Sequence, residues 1–453
     1  MTTRDFDLII YGATGFTGRL VAEHVLATHG VGRGIAWAMA GRDLAKLEVV
    51  RDEIGAPASV PLIQANASDA SSLEALAGRT RVIISTVGPY QLYGEPMVAA
   101  CAKGGADYVD LCGEPAWMAA MIPAYEKTAK ASGARIVFSC GFDSIPFDCG
   151  VFFLQQQAIE RFGAPFPRVR GRVRTMKGGF SGGTMASMLA TLEAGRRDPG
   201  ITKTMTNPYA LAEPLPQRQP RGDGIVHDAD IPAWSAPFIM ASINTKNVHR
   251  TNALTNYRYG RDFTYDEMQM MGDGAAGERR AKAALQQMHM QMGLLSFAPT
   301  RALLRRFALP KPGQGPSKHE RETGAYEVLY VGDMPDGRSL RAVVDLKALG
   351  EKGMCAVEVS RVLMDTVTRG IKPRHHRGVR RERFWDGRVG AGEEPASTRE
   401  SVERRCLNPA GRGSEGVGPR GVEGDEKNRR SDEWRAGAVA SSRFVACAAA
   451  HEN

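Results

Sequence analysis

Short, continuous apolar stretches alternate with longer amphipathic segments through the first 150 residues. DFDLIIY, IAWAMAG, VPLIQA, VIISTVG, YVDLC and ARIVFSC predict strands. GRLVAEHVLATHG, DLAKLEVVRDEIG, SSLEALAG, EPMVAACAKGG and MAAMIPAYEKTAKASG predict the helices between them. Strands that are apolar on both faces, each followed by an amphipathic helix, describe a parallel sheet covered on both sides. The pattern therefore predicts an α/β chain, with a doubly wound parallel sheet over residues 1–150 and a second, mixed α/β domain over 151–345. Beyond that the alternation stops. From Ile371 the text RHHRGVRRERFWDGRVGAGEEPASTRESVERR has hardly any periodic apolar face. Residues 346–453 are read as an atypical tail, either disordered or frameshifted, because GC-rich coding sequence often looks like this out of frame.

Composition adds bounds. A chain of 453 residues, 43% hydrophobic and 24% charged, has material for two or three globular domains. The formal charge of +9 changes little, because about four of those charges fall in the mixed acidic and basic text of the last eighty or so residues. No nucleic-acid partner is expected from it. Seven cysteines, without C-x-x-C or paired Cys/His spacing, suggest neither a disulfide framework nor a zinc site. Reduced thiols in a cytoplasmic protein are the simplest account. MTTRDFDLII turns directly into a strand, so no secretory signal is expected.

Chemistry enters with YGATGFTGRL, directly behind the first strand. Gly12 can make the sharp turn, Gly15 can let a pyrophosphate approach the backbone, and Gly18 can let helix and strand pack closely. The N–H groups opening the next helix would then face an anion. Gly12, Ala13, Thr14, Gly15, Phe16, Thr17 and Gly18 are thus a candidate dinucleotide cradle; a plain tight turn is the rival reading. Past the second strand, AGRD places Arg42 where a guanidinium can pair with a 2′-phosphate, which favours NADP(H). Asp43 could serve NAD instead, or cap the following helix. Asn66 and Asp69 border the same region, where Asp69 is also a good cap.

Taken together, GATGFTGRL, AGRDLAKL, STVGPYQLYGEPMVAAC, YVDLCGE and SCGFDSIPFDCGVFFL resemble the saccharopine dehydrogenase-like oxidoreductases, including the trans-acting enoyl reductases. The resemblance continues through FSGGTMASML to LPKPGQGPS and RETGAYEVLYVG. It implies a Rossmann domain holding NADP(H), a second domain closing over the nicotinamide, and hydride transfer. In such a sheet the loops after the later strands carry the chemistry. Val87, Gly88 and Pro89 are expected along the nicotinamide ribose, with Tyr90 near the transferred hydride as proton donor or carbonyl holder. Tyr90 could equally be an aromatic packed at the domain junction. Asp110 and Glu114 could bind a substrate amine or be helix-start acids. By resemblance Asp143 faces the cleft as a substrate or proton-relay residue, although its place before IPFDCGVFFL also suits an N-cap.

Two other signals compete. Gly179-Phe180-Ser181-Gly182-Gly183 satisfies G-x-S-x-G between a strand-like and a helix-like segment, yet the parallel sheet that a hydrolase needs lies upstream. Ala284 to Leu309, rich in Met and Leu and carrying Arg301, Arg305 and Arg306, is read as core or pocket lining in preference to peripheral membrane contact. Pro299 breaks any single long helix there. The leading expectation is an NADPH-dependent oxidoreductase acting on an enoyl, carbonyl or imine substrate of lipid-like character, with a homodimer as a further partner state. The rival is a non-catalytic dinucleotide-binding or redox-sensing scaffold.

Overall fold

The computed structural model describes residues 4–345, apart from Arg33, Phe180 and Pro312, together with 433–436. Six strands, β1 (Phe6–Tyr11), β2 (Trp37–Gly41), β3 (Leu62–Gln64), β4 (Thr80–Ser85), β5 (Asp107–Asp110) and β6 (Ile136–Val137), form the first sheet. All pair in parallel, in the order β3-β2-β1-β4-β5-β6. Along β1, Leu8 and Ile10 face one apolar layer, with Val21, Val25 and Leu47 from the helices Phe16–His29 and Leu44–Glu53. Ile9 and Tyr11 face the other, with Leu73, Met97 and Met118 from the helices Ala70–Gly78, Glu95–Gly104 and Pro115–Ser132. The sheet is the doubly wound Rossmann arrangement that the continuous apolar strands require. ARIVFSC contributes only two strand residues, because β6 is the edge and pairs with β5 alone.

The second sheet is mixed. It contains β7 (Arg168–Lys177), β8 (Val226–Asp228), β9 (Ala233–Pro237), β10 (Thr264–Gly272), β11 (Ala325–Asp333), β12 (Ser339–Asp345) and β13 (Glu433–Ala436), in the order β13-β12-β11-β7-β10-β9-β8. Along β7 the apolar Val169 and Val173 enter the main core, while Arg168, Arg170 and Arg172 occupy the alternate positions. Each of those arginines is paired with an aspartate, and Arg170 and Arg172 are buried. Arg172 is 1% exposed; its Nε and Nη2 hold Asp228 at 2.7 and 3.1 Å and its Nη1 holds Asp266 at 2.8 Å. Arg170 reaches Asp230 and Asp333, each at 2.6 Å, and Arg168 pairs with Asp266.

One expectation from the sequence is corrected here. The Met- and Leu-rich segment forms the helices Gly274–Ser296 and Ala298–Phe307, separated just before Pro299 as predicted, but it does not line a core. Beyond Ala281 the longer helix buries only Leu295, and the shorter one buries nothing. Met290, Phe297 and Leu303 are each 61% exposed and Phe307 is 73% exposed. Apolar periodicity reports a face, and does not say whether anything covers it. Among the described residues no helix is long and apolar enough to cross a membrane. The tail reading, including EKGMCAVEVSRVLMDT, lies outside the described residues except for the backbone of β13.

Candidate active site

Because every strand of the first sheet runs the same way, the loops after β1, β2, β4, β5 and β6 emerge on one edge. The first is the glycine loop. Gly12 has φ of +94° and donates to Ala40 O at 2.9 Å, and Gly15 N donates back to Gly12 O at 2.9 Å. Gly18 lies so close to this turn that a Cβ would meet Gly12 O at 2.2 Å. Thr86 seals the arrangement by donating to Tyr11 O and Gly12 O at 3.2 and 3.1 Å. At Gly15, the N-cap of helix Phe16–His29, no side chain caps the helix. The first-turn N–H groups therefore have no side-chain acceptor, and Thr14, Phe16 and Thr17 are half-buried around them. Ala13 is buried beneath. An anionic pyrophosphate fits this uncapped, amide-lined turn.

At the end of β2, Arg42 is exposed, and its carbonyl accepts from Gln64 Nε2 at 3.0 Å. Asp43 caps the next helix, accepting from Lys46 N at 3.2 Å, and so leaves Arg42 as the exposed ionic group at this strand end. Asn66 is exposed beyond β3 and accepts from Ser68 N at 3.2 Å. Asp69 caps helix Ala70–Gly78 through Ser71 N and Ser72 N, the alternative that the sequence left open.

Val87, Gly88 and Pro89 follow β4, with Gly88 exposed and the other two half-buried. A Cβ on Gly88 would stand 3.6 Å from Ser187 Oγ on helix Gly182–Arg197, so the part of the chain that builds the second sheet faces this loop. Tyr90 is turned inward. Its hydroxyl donates to Ser85 O at 3.0 Å and accepts from Leu111 N at 3.3 Å, while its ring lies 5.6 Å from that of Trp117. Burial, and then the negative charge of Asp110, push this phenol well above its ordinary range. The geometry is that of the packing alternative rather than of a group presented to a ligand.

Asp110 and Glu114 are also internal clamps. Asp110 accepts from Cys112 N, Ser139 N and the Tyr108 hydroxyl, each at 2.9 Å, and burial raises its pKa to about 7. Glu114 accepts from Tyr90 N and Gln91 N at 2.8 and 2.9 Å. Together they tie the loop after β4 to those after β5 and β6. Sequence spacing cannot distinguish such clamps from ligand-binding acids.

After β6, Cys140 is buried and its thiol is pushed up by that burial. Asp143 does not cap the next helix; Ser144 occupies the N-cap of Ile145–Phe162. Asp143 folds back, so that a Cβ on Gly141 would meet its Oδ1 at 2.4 Å, and burial raises its pKa to about 6. Its carbonyl accepts from Asn244 Nδ2 at 2.9 Å, and the same amide donates to Glu267 at 3.0 Å. Asn244 thus anchors the Asp143 loop to the second sheet, a link between distant segments that no local motif carries.

The segment leading into β11 also covers the glycine loop. A Cβ on Gly315 would lie 2.4 Å from the Phe16 ring, and the Arg321 guanidinium stands 5.7 Å from that ring's centroid. Gly182 N donates to Gln314 O at 2.9 Å. Ser181 of the G-x-S-x-G match is the N-cap of helix Gly182–Arg197, accepting from Thr184 N at 3.3 Å, which accounts for the motif without a nucleophile.

A six-stranded parallel Rossmann sheet, with a glycine turn at an uncapped helix and a second α/β layer across its carboxyl edge, defines a dinucleotide-dependent oxidoreductase. Residues 8–137 match the saccharopine dehydrogenase NADP binding domain. A Mycobacterium tuberculosis (strain H37Rv) protein, provisionally named a trans-acting enoyl reductase, is 41% identical over 344 residues, 72% of this chain and 80% of its own. The trans-acting enoyl reductase of Mycobacterium ulcerans is 39% identical over 339 residues, 71% of this chain and 80% of its own. Among solved structures, apo saccharopine dehydrogenase from Saccharomyces cerevisiae aligns with a TM-score of 0.44 and 12% identity, over 81% of this chain and 92% of that one. The chain belongs to the trans-acting enoyl reductase family of saccharopine dehydrogenase-like, NADP(H)-dependent oxidoreductases.

Proposed function

We propose that the protein reduces the carbon–carbon double bond of an enoyl substrate with an apolar, lipid-like chain, at the carboxyl edge of the first sheet. The observation that carries this reading is the uncapped helix turn at Gly15, on the same edge as the half-buried Asp143. Gly12 to Gly18 would hold the pyrophosphate and Arg42 the 2′-phosphate, with Asn66 beside the adenosine and Val87 to Pro89 along the nicotinamide ribose. When bound, NADPH supplies the hydride for the carbon β to the carbonyl. Asp143 supplies the proton for the α carbon, and the Asn244 amide fixes its loop. Tyr90, whose hydroxyl is engaged by Ser85 and Leu111, positions the loop that carries Pro89. The lipid-like character is supported by the exposed apolar helices that lead into the segment covering Phe16.

An acid works in its protonated form, so with a carboxyl near pH 6 the rate should fall as pH rises above about 6. Asp143→Asn should lower kcat by about 100-fold or more, leave NADPH affinity within about twofold, and abolish that pH step. The test is stopped-flow NADPH oxidation with enoyl and saturated acyl thioesters across pH. An unchanged pH profile in Asp143→Asn would remove the residue from the proton step. NADPH binding without oxidation by any enoyl, carbonyl or imine substrate would favour the non-catalytic scaffold.

A further inference from the structure

The surface of helices Gly274–Ser296 and Ala298–Phe307 has a composition that neither a core nor an ordinary solvated face explains. Leu303 and Phe307 stand one helical turn apart, as do Met290 and Leu294 on the preceding helix, and with Phe297 between the helices all five are at least 41% exposed. Apolar patches of this kind on a folded surface mark contacts with something outside the chain. Charge indicates what that is. Between Glu278 and Glu320 the sequence carries eight Lys or Arg and not one Asp or Glu. Arg306 borders the apolar face, with its guanidinium 5.4 Å from the Phe307 ring centroid, and Arg305 is exposed on the opposite side of the same helix.

The patch is also held firmly at its base. Arg196 donates to Ser296 O at 2.6 Å, and Arg301 donates to Leu295 O at 3.0 Å and stands 3.6 Å from Glu193. Both ties come from helix Gly182–Arg197, whose Ser187 faces Gly88. After Phe307 the chain runs directly into the segment that crosses Phe16. The exposed apolar face and the mouth of the candidate site therefore share one rigid support.

We infer that the helices 274–307 form a docking surface for an anionic lipid bilayer, with Leu303, Phe307 and Phe297 entering the acyl boundary, Arg306 meeting phosphate headgroups beside them, and the other cations of the segment, Arg305 among them, adding long-range attraction. Apolar insertion and basic attraction together are what interfacial binding requires, and neither alone suffices. The inference rests on the lipid-like reading of the substrate, since a site supported by the docking helices could receive a chain from the membrane.

The test is sedimentation of the full chain with vesicles of phosphatidylcholine, and of phosphatidylcholine mixed with phosphatidylglycerol, in parallel with NADPH titration. The wild type should partition onto the anionic vesicles and much less onto the neutral ones. Arg305→Ser with Arg306→Ser, and separately Leu303→Ser with Phe307→Ser, should each reduce partitioning on the order of tenfold, with NADPH affinity unchanged. No binding of the wild type to anionic vesicles, or equal binding by either double variant, would overturn the inference. So would loss with the arginine pair alone accompanied by capture on polyglutamate beads, which would indicate an acidic protein instead. Vesicle binding with no enoyl reduction would defeat the substrate reading and leave the docking surface standing; reduction without vesicle binding would do the reverse.

Discussion

Gly18→Ala should weaken NADPH binding by about tenfold to a hundredfold while leaving the second sheet folded. The added methyl would lie 2.2 Å from Gly12 O and 2.7 Å from Gly12 C, so the obstacle is backbone, which cannot rotate away. Forcing a methyl into such a contact costs roughly 1–3 kcal/mol, and each 1.4 kcal/mol is a factor of ten in affinity. The helix must then move off the turn, taking its N–H groups with it. Gly15→Ala is the informative control. There a Cβ would meet only Gly12 O, at 3.3 Å, so the fold barely changes and any lost affinity reports the approach of the ligand itself. Fluorescence titration with NADPH, alongside thermal melts of both variants, separates the two effects. Wild-type affinity in Gly18→Ala would mean that the turn is no cradle.

Arg172→Met should destabilise the protein by about 3–5 kcal/mol, the largest loss expected from any single substitution outside the sheet cores. Arg172 is 1% exposed and is the shared partner of Asp228 and Asp266, so its removal takes a charge-assisted partner from two buried carboxylates and leaves them with Arg170 and Arg168 respectively. Burial alone would raise the Asp228 pKa, but hydrogen bonds and charge from Arg172, and then Arg170, hold it below the usual carboxylate range. A depressed carboxyl pKa contributes stability above its unfolded value, near 3.9, and loses it as pH falls through the folded value. The deficit in Arg172→Met should accordingly be greatest at neutral pH and shrink in acid. Urea denaturation at pH 7 and at pH 3, below the unfolded value, measures both, and a deficit that does not depend on pH would contradict the ion-pair account.

The contrast between these two sites shows what a sequence makes legible. The glycine turn, the strand behind it and the helix after it are local, so their spacing located the turn, and the alternation of apolar strands with amphipathic helices located the doubly wound sheet. RVRGRVR likewise announces a strand. Nothing local says what its arginines do, because their partners Asp228, Asp266 and Asp333 lie on three other strands. Asp143 suits an N-cap by its place before IPFDCGVFFL, yet the backbone puts the N-cap one residue later, at Ser144. Because they follow strands at the functional edge, Tyr90 reads as a proton donor or a packed aromatic and Glu114 as a substrate-binding or helix-start acid; in the structure both hold one loop to the next. Asn244, which fixes the Asp143 loop from a hundred residues away, has no local signature at all. The exposed helix pair failed for another reason: an apolar stripe looks the same in sequence whether or not a partner covers it.

The most direct measurement is a parallel titration of the wild type and Arg42→Ala with NADPH and NADH, following energy transfer from tryptophan to the reduced nicotinamide. Loss of a charge-assisted contact to a 2′-phosphate, about 1.5–3 kcal/mol, predicts tenfold to about a hundredfold weaker NADPH binding in Arg42→Ala and unchanged NADH binding. Equal weakening of both nucleotides, or no binding of either by the folded wild type, would contradict the assignment of the Gly12–Gly18 turn and Arg42 as the cofactor site.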